Sequence, residues 1–194
     1  MKKLCFVCFN IEDMGGINRV VSGLCNEFCE SNIVHVVSIC DTGKSAYYYL
    51  DPKIKIHKIN NSPHDRIRNV IFKSFGNLKE YFLSNKFDII FMEGHYVPPI
   101  VLPLKIFTKS KFVFCDHGAL SNQISDKKAT FFRKIASKLS NKIAVLTNST
   151  KKEYSRIFKV NPEKIEVIPN FIDEDILNYK KEYNKNSKLI LSSG

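Results

Sequence analysis

Three short stretches of the sequence hold residue types able to do chemistry on an anionic or hydroxyl-bearing substrate. The run Asn10-Ile11-Glu12-Asp13-Met14-Gly15-Gly16-Ile17-Asn18-Arg19 puts two adjacent glycines where a helix should begin. Backbone N–H groups at such a start can approach a phosphate or carboxylate closely, and the helix dipole adds attraction. The same pair also suits a plain strand-to-helix turn. It is not G-x-G-x-x-G, so a nicotinamide dinucleotide fold has no support. The run Cys115-Asp116-His117-Gly118 offers an imidazole able to hydrogen-bond a sugar hydroxyl or steady developing charge. Position alone leaves a structural and a catalytic role for His117 both open. Asp116 is a candidate for tuning that ring, although adjacent strand residues point to opposite faces. Glu93-Gly94-His95 ends another apolar run, where it could line an acceptor pocket or form only a polar loop.

Other patterns fail on inspection. Gly43-Lys44-Ser45 suggests a phosphate-binding loop, but Ser38 stands where that motif needs its first glycine. Cys5-Phe6-Val7-Cys8 lies inside an expected strand, and no second cysteine pair completes a zinc site. No H-E-x-x-H pattern occurs, and neither a metal nor another cofactor is expected.

The elements that must position these residues alternate along the chain. Strands are expected at residues 4–9, 33–40, 54–59, 87–93, 111–115, 142–147 and 165–168. Between them, helices are expected at residues 16–29, 65–83, 98–107, 126–139 and 150–158, with a proline pair opening the third. Asn148-Ser149-Thr150 reads as the cap of the last. Such βαβα order implies a mostly parallel, Rossmann-like α/β sheet with helices on both faces. Ligands of that architecture sit beyond the carboxyl ends of the strands, which is where all three stretches fall.

Composition agrees with a folded domain: 194 residues, 44% hydrophobic and 25% charged. The N-terminal apolar run is too short for a signal peptide and no stretch is long enough for a membrane span, so a soluble, cytoplasmic protein is expected. The six cysteines then read as buried, reduced thiols. A net charge of +11 favours an anionic partner, yet no nucleic-acid-binding module is recognisable. Residues 126–139 read as a basic amphipathic helix, with Phe131, Phe132, Ile135, Ala136 and Leu139 against Lys127, Lys128, Arg133, Lys134 and Lys138. It could lie on an anionic membrane surface or pack its apolar stripe on the sheet.

Taken in order, these segments resemble the family 4 retaining glycosyltransferases of the two-Rossmann-domain GT-B architecture. "MGGINRVVSGLCNEF" is similar to that family's Gly-Gly-x-x-Arg-Val helix start, and "FDIIFMEGH" to its D-x-I-x-x-H strand. "FVFCDHG" is similar to its strand ending in histidine, "KIAVLTNSTKKEY" to its S-x-x-x-K segment, and "KIEVIPNFIDEDIL" to I-P-N-G-[IV]-D, with Phe171 in place of the glycine. The resemblance implies an N-terminal acceptor-binding domain over residues 1–175. Residues 176–194 would be a linker and the first strand of a second, nucleotide-sugar-binding domain. It also implies roles: Gly15 and Gly16 offering amides near the donor phosphate, and His117 touching the transferred sugar. Arg19, Glu93, His95 and Asn170 join the substrate-binding group. The implied activity is transfer from a nucleotide sugar to a saccharide acceptor, often lipid-linked, in bacterial surface polysaccharide or lipopolysaccharide synthesis, with these residues inactive alone. A peripheral position on the inner membrane face follows. The alternative is a non-catalytic glycan- or membrane-binding module derived from such an enzyme.

Overall fold

The computed structural model describes residues 1–59 and 61–171, and the expected linker and strand at 176–194 lie outside them. Seven strands form one sheet in which every neighbouring pair is parallel. They are β1 (Lys3–Cys8), β2 (Ile33–Ser38), β3 (Lys55–Lys58), β4 (Ile89–Glu93), β5 (Lys111–Asp116), β6 (Lys142–Val145) and β7 (Ile165–Val167), in the order β3-β2-β1-β4-β5-β6-β7. The order runs outward in one direction through β2 and β3 and in the other through β4 to β7. The switch point therefore lies between β1 and β4, and a crevice opens beyond their carboxyl ends.

The helices between the strands are α1 (Gly16–Phe28), α2 (Ile67–Asn85), α3 (Pro98–Val101), α4 (Lys127–Leu139) and α5 (Asn148–Phe158). Both sheet faces are buried, as the near-continuous apolar strands require. One face packs Val7, Ile90, Met92, Phe112 and Phe114 against α2 to α5. The other packs Leu4, Phe6 and Val36 against Val21 and Cys25 of α1. Phe6 stacks on Phe91 there with ring centroids 4.5 Å apart. All six cysteines are free and buried. No helix among the described residues is long and apolar enough to cross a membrane.

The structure departs from the expected pattern at three places. The helix at 98–107 is α only over its first turn, and Leu102–Phe107 is a 3-10 segment. Pro103 has no N–H for the carbonyl four residues back, so the turn tightens. The last helix is capped by Thr147, whose hydroxyl accepts from the Thr150 N–H at 3.1 Å, not by Asn148-Ser149-Thr150.

The third departure concerns the basic amphipathic helix. Its buried positions are Ala129, Arg133, Ala136 and Ser137, while Phe131 and Leu139 are 57% and 53% exposed. Arg133 is not a solvent-facing cation. It donates from Nε to Asp116 Oδ2 at 2.9 Å and from Nη2 to Asp116 Oδ1 at 3.2 Å, with both side chains 1% exposed. A buried carboxylate needs a partner more urgently than two phenylalanines need burial, and that requirement sets the rotation of α4. Removing the cation alone strands Asp116. Arg133→Ala should lower stability by about 3–5 kcal/mol in denaturant unfolding, and the Asp116→Asn/Arg133→Met pair by much less than the sum of the singles.

Candidate functional site at the carboxyl edge of the sheet

β4 and β5 are paired in parallel with Glu93 opposite Cys115. Alternation sends Asp116 to the α4–α5 face and His117 to the α1 face, as the pleat requires. On the first face Asp116 accepts from Arg133, from the Tyr154 hydroxyl at 2.5 Å and from the Gly118 N–H at 3.3 Å. Burial, with Asp116 adding to it, pushes the Tyr154 phenol far above its ordinary range. Arg133 also donates to Gln123 Oε1, which ties the loop after β5 to the same group. A Cβ added at Gly118 would lie 2.8 Å from Arg133 Nη2, so only glycine lets the loop turn over the guanidinium.

On the second face the His117 Nε2 and Glu93 Oε2 atoms are 2.7 Å apart. Glu93 was expected to line an acceptor pocket. It is 3% exposed, bonded to His117, and lines the same groove as that ring. Counted from Asp88, the D-x-I-x-x-H pattern puts a histidine where Glu93 stands, so a carboxylate holds this imidazole. Burial pulls the His117 pKa down, but the Glu93 hydrogen bond and charge, with Asp116, outweigh it and leave the value raised. The imidazole therefore favours its protonated form. Its Nδ1 is buried without a partner, as is Glu93 Oε1.

The other expected residues gather around this pair. A recess of about 130 Å³ beside His117 is lined by Ile17, Gly94, His95, Gly118 and Gln123. Gly94 has φ +81°, which only glycine adopts easily, and a Cβ added there would lie 3.4 Å from the Ile17 side chain at the start of α1. His95 is half-buried, and burial, then the Arg133 charge, lowers its pKa. Gly15 and Gly16 open α1, and a Cβ at either would meet nothing within 4 Å. Glycine there leaves the helix start open to a ligand; it is not forced by crowding. Arg19 is exposed on α1, one turn on. Asn170 lies on the far side of His117, in an apolar groove of about 150 Å³ shared with Phe171, whose ring sits on Gly23.

Two contributors carried no visible signal in the sequence. Asn18 donates to the carbonyls of Asn10 and Asp13 at 2.7 and 2.8 Å and so shapes the loop leading into Gly15-Gly16. Glu12 is 6% exposed and gathers the Lys58 ammonium, the Thr42 hydroxyl and the N–H groups of Thr42 and Lys44. Burial works against its charge, but Lys58 and Thr42 prevail and lower its pKa to about 2. That carboxylate ties the loops after β1 and β2 to β3. Among the described residues Cys29, Glu30 and Asp51 also bring ligand atoms within 4.8 Å of one another, but Glu30 already pairs with Lys53.

Comparison with known proteins identifies the fold and the family. No curated protein matches the chain. Among solved structures, HepE of Anabaena in complex with UDP and glucose superposes with a TM-score of 0.65 at 13% identity, over 91% of this chain and 46% of that one. The lipopolysaccharide outer core galactosyltransferase WaaB gives 0.63 at 14%, over 88% and 46%. Sucrose-phosphate synthase of Thermosynechococcus elongatus gives 0.69 at 13%, over 87% and 48%. The chain thus spans about half the length of the structures it matches. At such identities the agreement establishes the fold: a Rossmann-like α/β domain of the kind these proteins contain. The family follows from sequence. Residues 14–176 match Glycosyltransferase Family 4, and the chain belongs to that family.

The His117–Glu93 pair carries a prediction with a defined sign. Because the folded pKa is raised above 6.5, the pair's contribution to stability is complete below that pH and is lost as pH rises through the folded value. Ring NMR should place the His117 titration above 6.5, and Glu93→Gln should move it down. An unmoved midpoint would separate the two groups.

Proposed function

We propose that the chain is the acceptor-binding half of a glycosyltransferase that moves a sugar from a nucleotide-sugar donor to a saccharide acceptor. The observation that supports this most is the placement of His117, backed by Glu93, across the switch-point crevice from the open start of α1. In this reading the α1 N–H groups and helix dipole meet the anionic part of donor or acceptor. The imidazolium contacts the transferred sugar near its reacting carbon and spreads positive potential toward the departing diphosphate. Glu93 keeps the ring charged and oriented. Asn170 and His95 border the sugar from either side, and Arg19 orients an anionic group on the acceptor.

Transfer proceeds with retention of anomeric configuration and without a metal, and the nucleotide is gripped by a second domain outside these residues. HepE's complex with UDP and glucose supports a nucleotide sugar as donor. A lipid-linked saccharide in surface polysaccharide or lipopolysaccharide synthesis is the proposed acceptor. It would be met at an anionic membrane surface by the outward stripe of α4, where Lys127, Phe131, Lys134 and Lys138 are all exposed.

The test is turnover of a two-domain form against a panel of nucleotide sugars. His117→Ala should cut kcat by about 100-fold while nucleotide-sugar affinity holds within about threefold. Residues 1–194 alone should show no turnover. Unchanged turnover in the variant would remove His117 from the reaction.

A further inference from the structure

The amino edge of the sheet, opposite His117, carries a second concavity. It lies where β1, β4 and β5 begin and where α2 and the 3-10 segment end, and its volume is about 670 Å³. Four lysines line it, Lys2, Lys86, Lys109 and Lys111, against one carboxylate, Asp88. That carboxylate already accepts from the Lys3 backbone N–H at 2.7 Å. None of the four ammonium groups is in an ion pair or hydrogen bond among the described residues, whereas Lys3 is held by Asn85 and Lys105 by a carbonyl. Unpaired cations around one concavity raise its positive potential and attract an anion.

Beside the lysines the wall carries apolar side chains. Leu83 and Phe107 are 44% and 38% exposed at the rim, over buried Phe82 and Phe87. Ile106, next to Phe107, is 83% exposed. Thr108 lines the same cavity and its hydroxyl has no hydrogen-bond partner. Solvated lysines alone would need no such wall, and an apolar patch alone would need no such charge.

We propose that this cavity binds a phosphate joined to an apolar body, the phosphate among Lys2, Lys86, Lys109 and Lys111 and the apolar part on Leu83 and Phe107. Lysines suit the task because they hold phosphate as mobile point charges without a fixed geometry. The same chemistry is offered by a phospholipid in a bilayer and by a free phosphorylated amphiphile. The site is independent of the transfer reaction, so its failure would leave the reading of His117 untouched.

The test is calorimetric titration of the 194-residue chain with dihexanoyl phosphatidic acid below its micelle concentration, beside dihexanoyl phosphatidylcholine and inorganic phosphate. One saturable site is expected for the phosphatidic acid, with the other two at least about tenfold weaker. Lys109→Glu/Lys111→Glu should weaken it at least about tenfold at unchanged melting temperature, since both side chains are exposed, and added salt should weaken it further. Lys152→Glu/Arg156→Glu on α5, both exposed, should leave it within about twofold. Mixed phosphatidylcholine–phosphatidic acid vesicles separate the sources. Capture that falls in the Lys109/Lys111 variant assigns the bilayer; capture unaffected by that variant, with the soluble lipid bound, assigns a free phosphate ester. No saturable binding, equal binding of inorganic phosphate, or an equal loss in the α5 variant would overturn the proposal.

Discussion

The carboxylate of Asp116 is buried at the end of a central strand, and the carboxyl edge of the sheet depends on how that charge is met. Arg133 reaches it from α4, Tyr154 from α5 and the Gly118 N–H from the loop beyond. Taking two ions out of water costs several kcal/mol, and the pairing offsets that only if every donor is in place. The network therefore does more for specificity than for net stability. It locks two helices and one loop to a single strand end. Because successive strand residues face opposite ways, locking Asp116 on one side fixes where His117 stands on the other.

The second face repeats the arrangement with weaker partners. Glu93 is as buried as Asp116 but has an imidazole as its cation, which is charged only while protonated. The His117–Glu93 pair is therefore titratable. Around them the α1 start and the Gly94 turn supply backbone without side chains, and Glu12 braces the loops after β1 and β2 from below. A ligand would thus meet oriented N–H groups and one proton-dependent cation.

Much of this was legible in the sequence because it rests on local patterns. Apolar runs such as that around Val36 and alternating helical stretches marked the parallel sheet, and the parallel-sheet rule then pointed to the loops that carry Gly15-Gly16, His95 and His117. What escaped were pairings between residues far apart in the chain. Arg133 reads as one more surface cation on a basic helix, since nothing near it announces that Asp116, 17 positions earlier, will be buried beneath it. The bond between Glu93 and His117 joins residues 24 positions apart, from two different strand ends. Lys58 lies in an unremarkable alternating strand, and its bond to Glu12 spans 46 positions. Pro103 was visible, yet its effect on the turn was outweighed by the proline pair that opens the same helix.

The most direct test of the account is whether sugar and phosphate meet at this edge. Backbone-amide NMR of a two-domain form, titrated with a nucleotide sugar, reads it residue by residue. The account requires saturable shifts at Gly15, Gly16, Gly94, His117 and Gly118, with little change at Lys109 and Lys111. Shifts confined to the opposite edge, or none at the start of α1 and the end of β5, would contradict it.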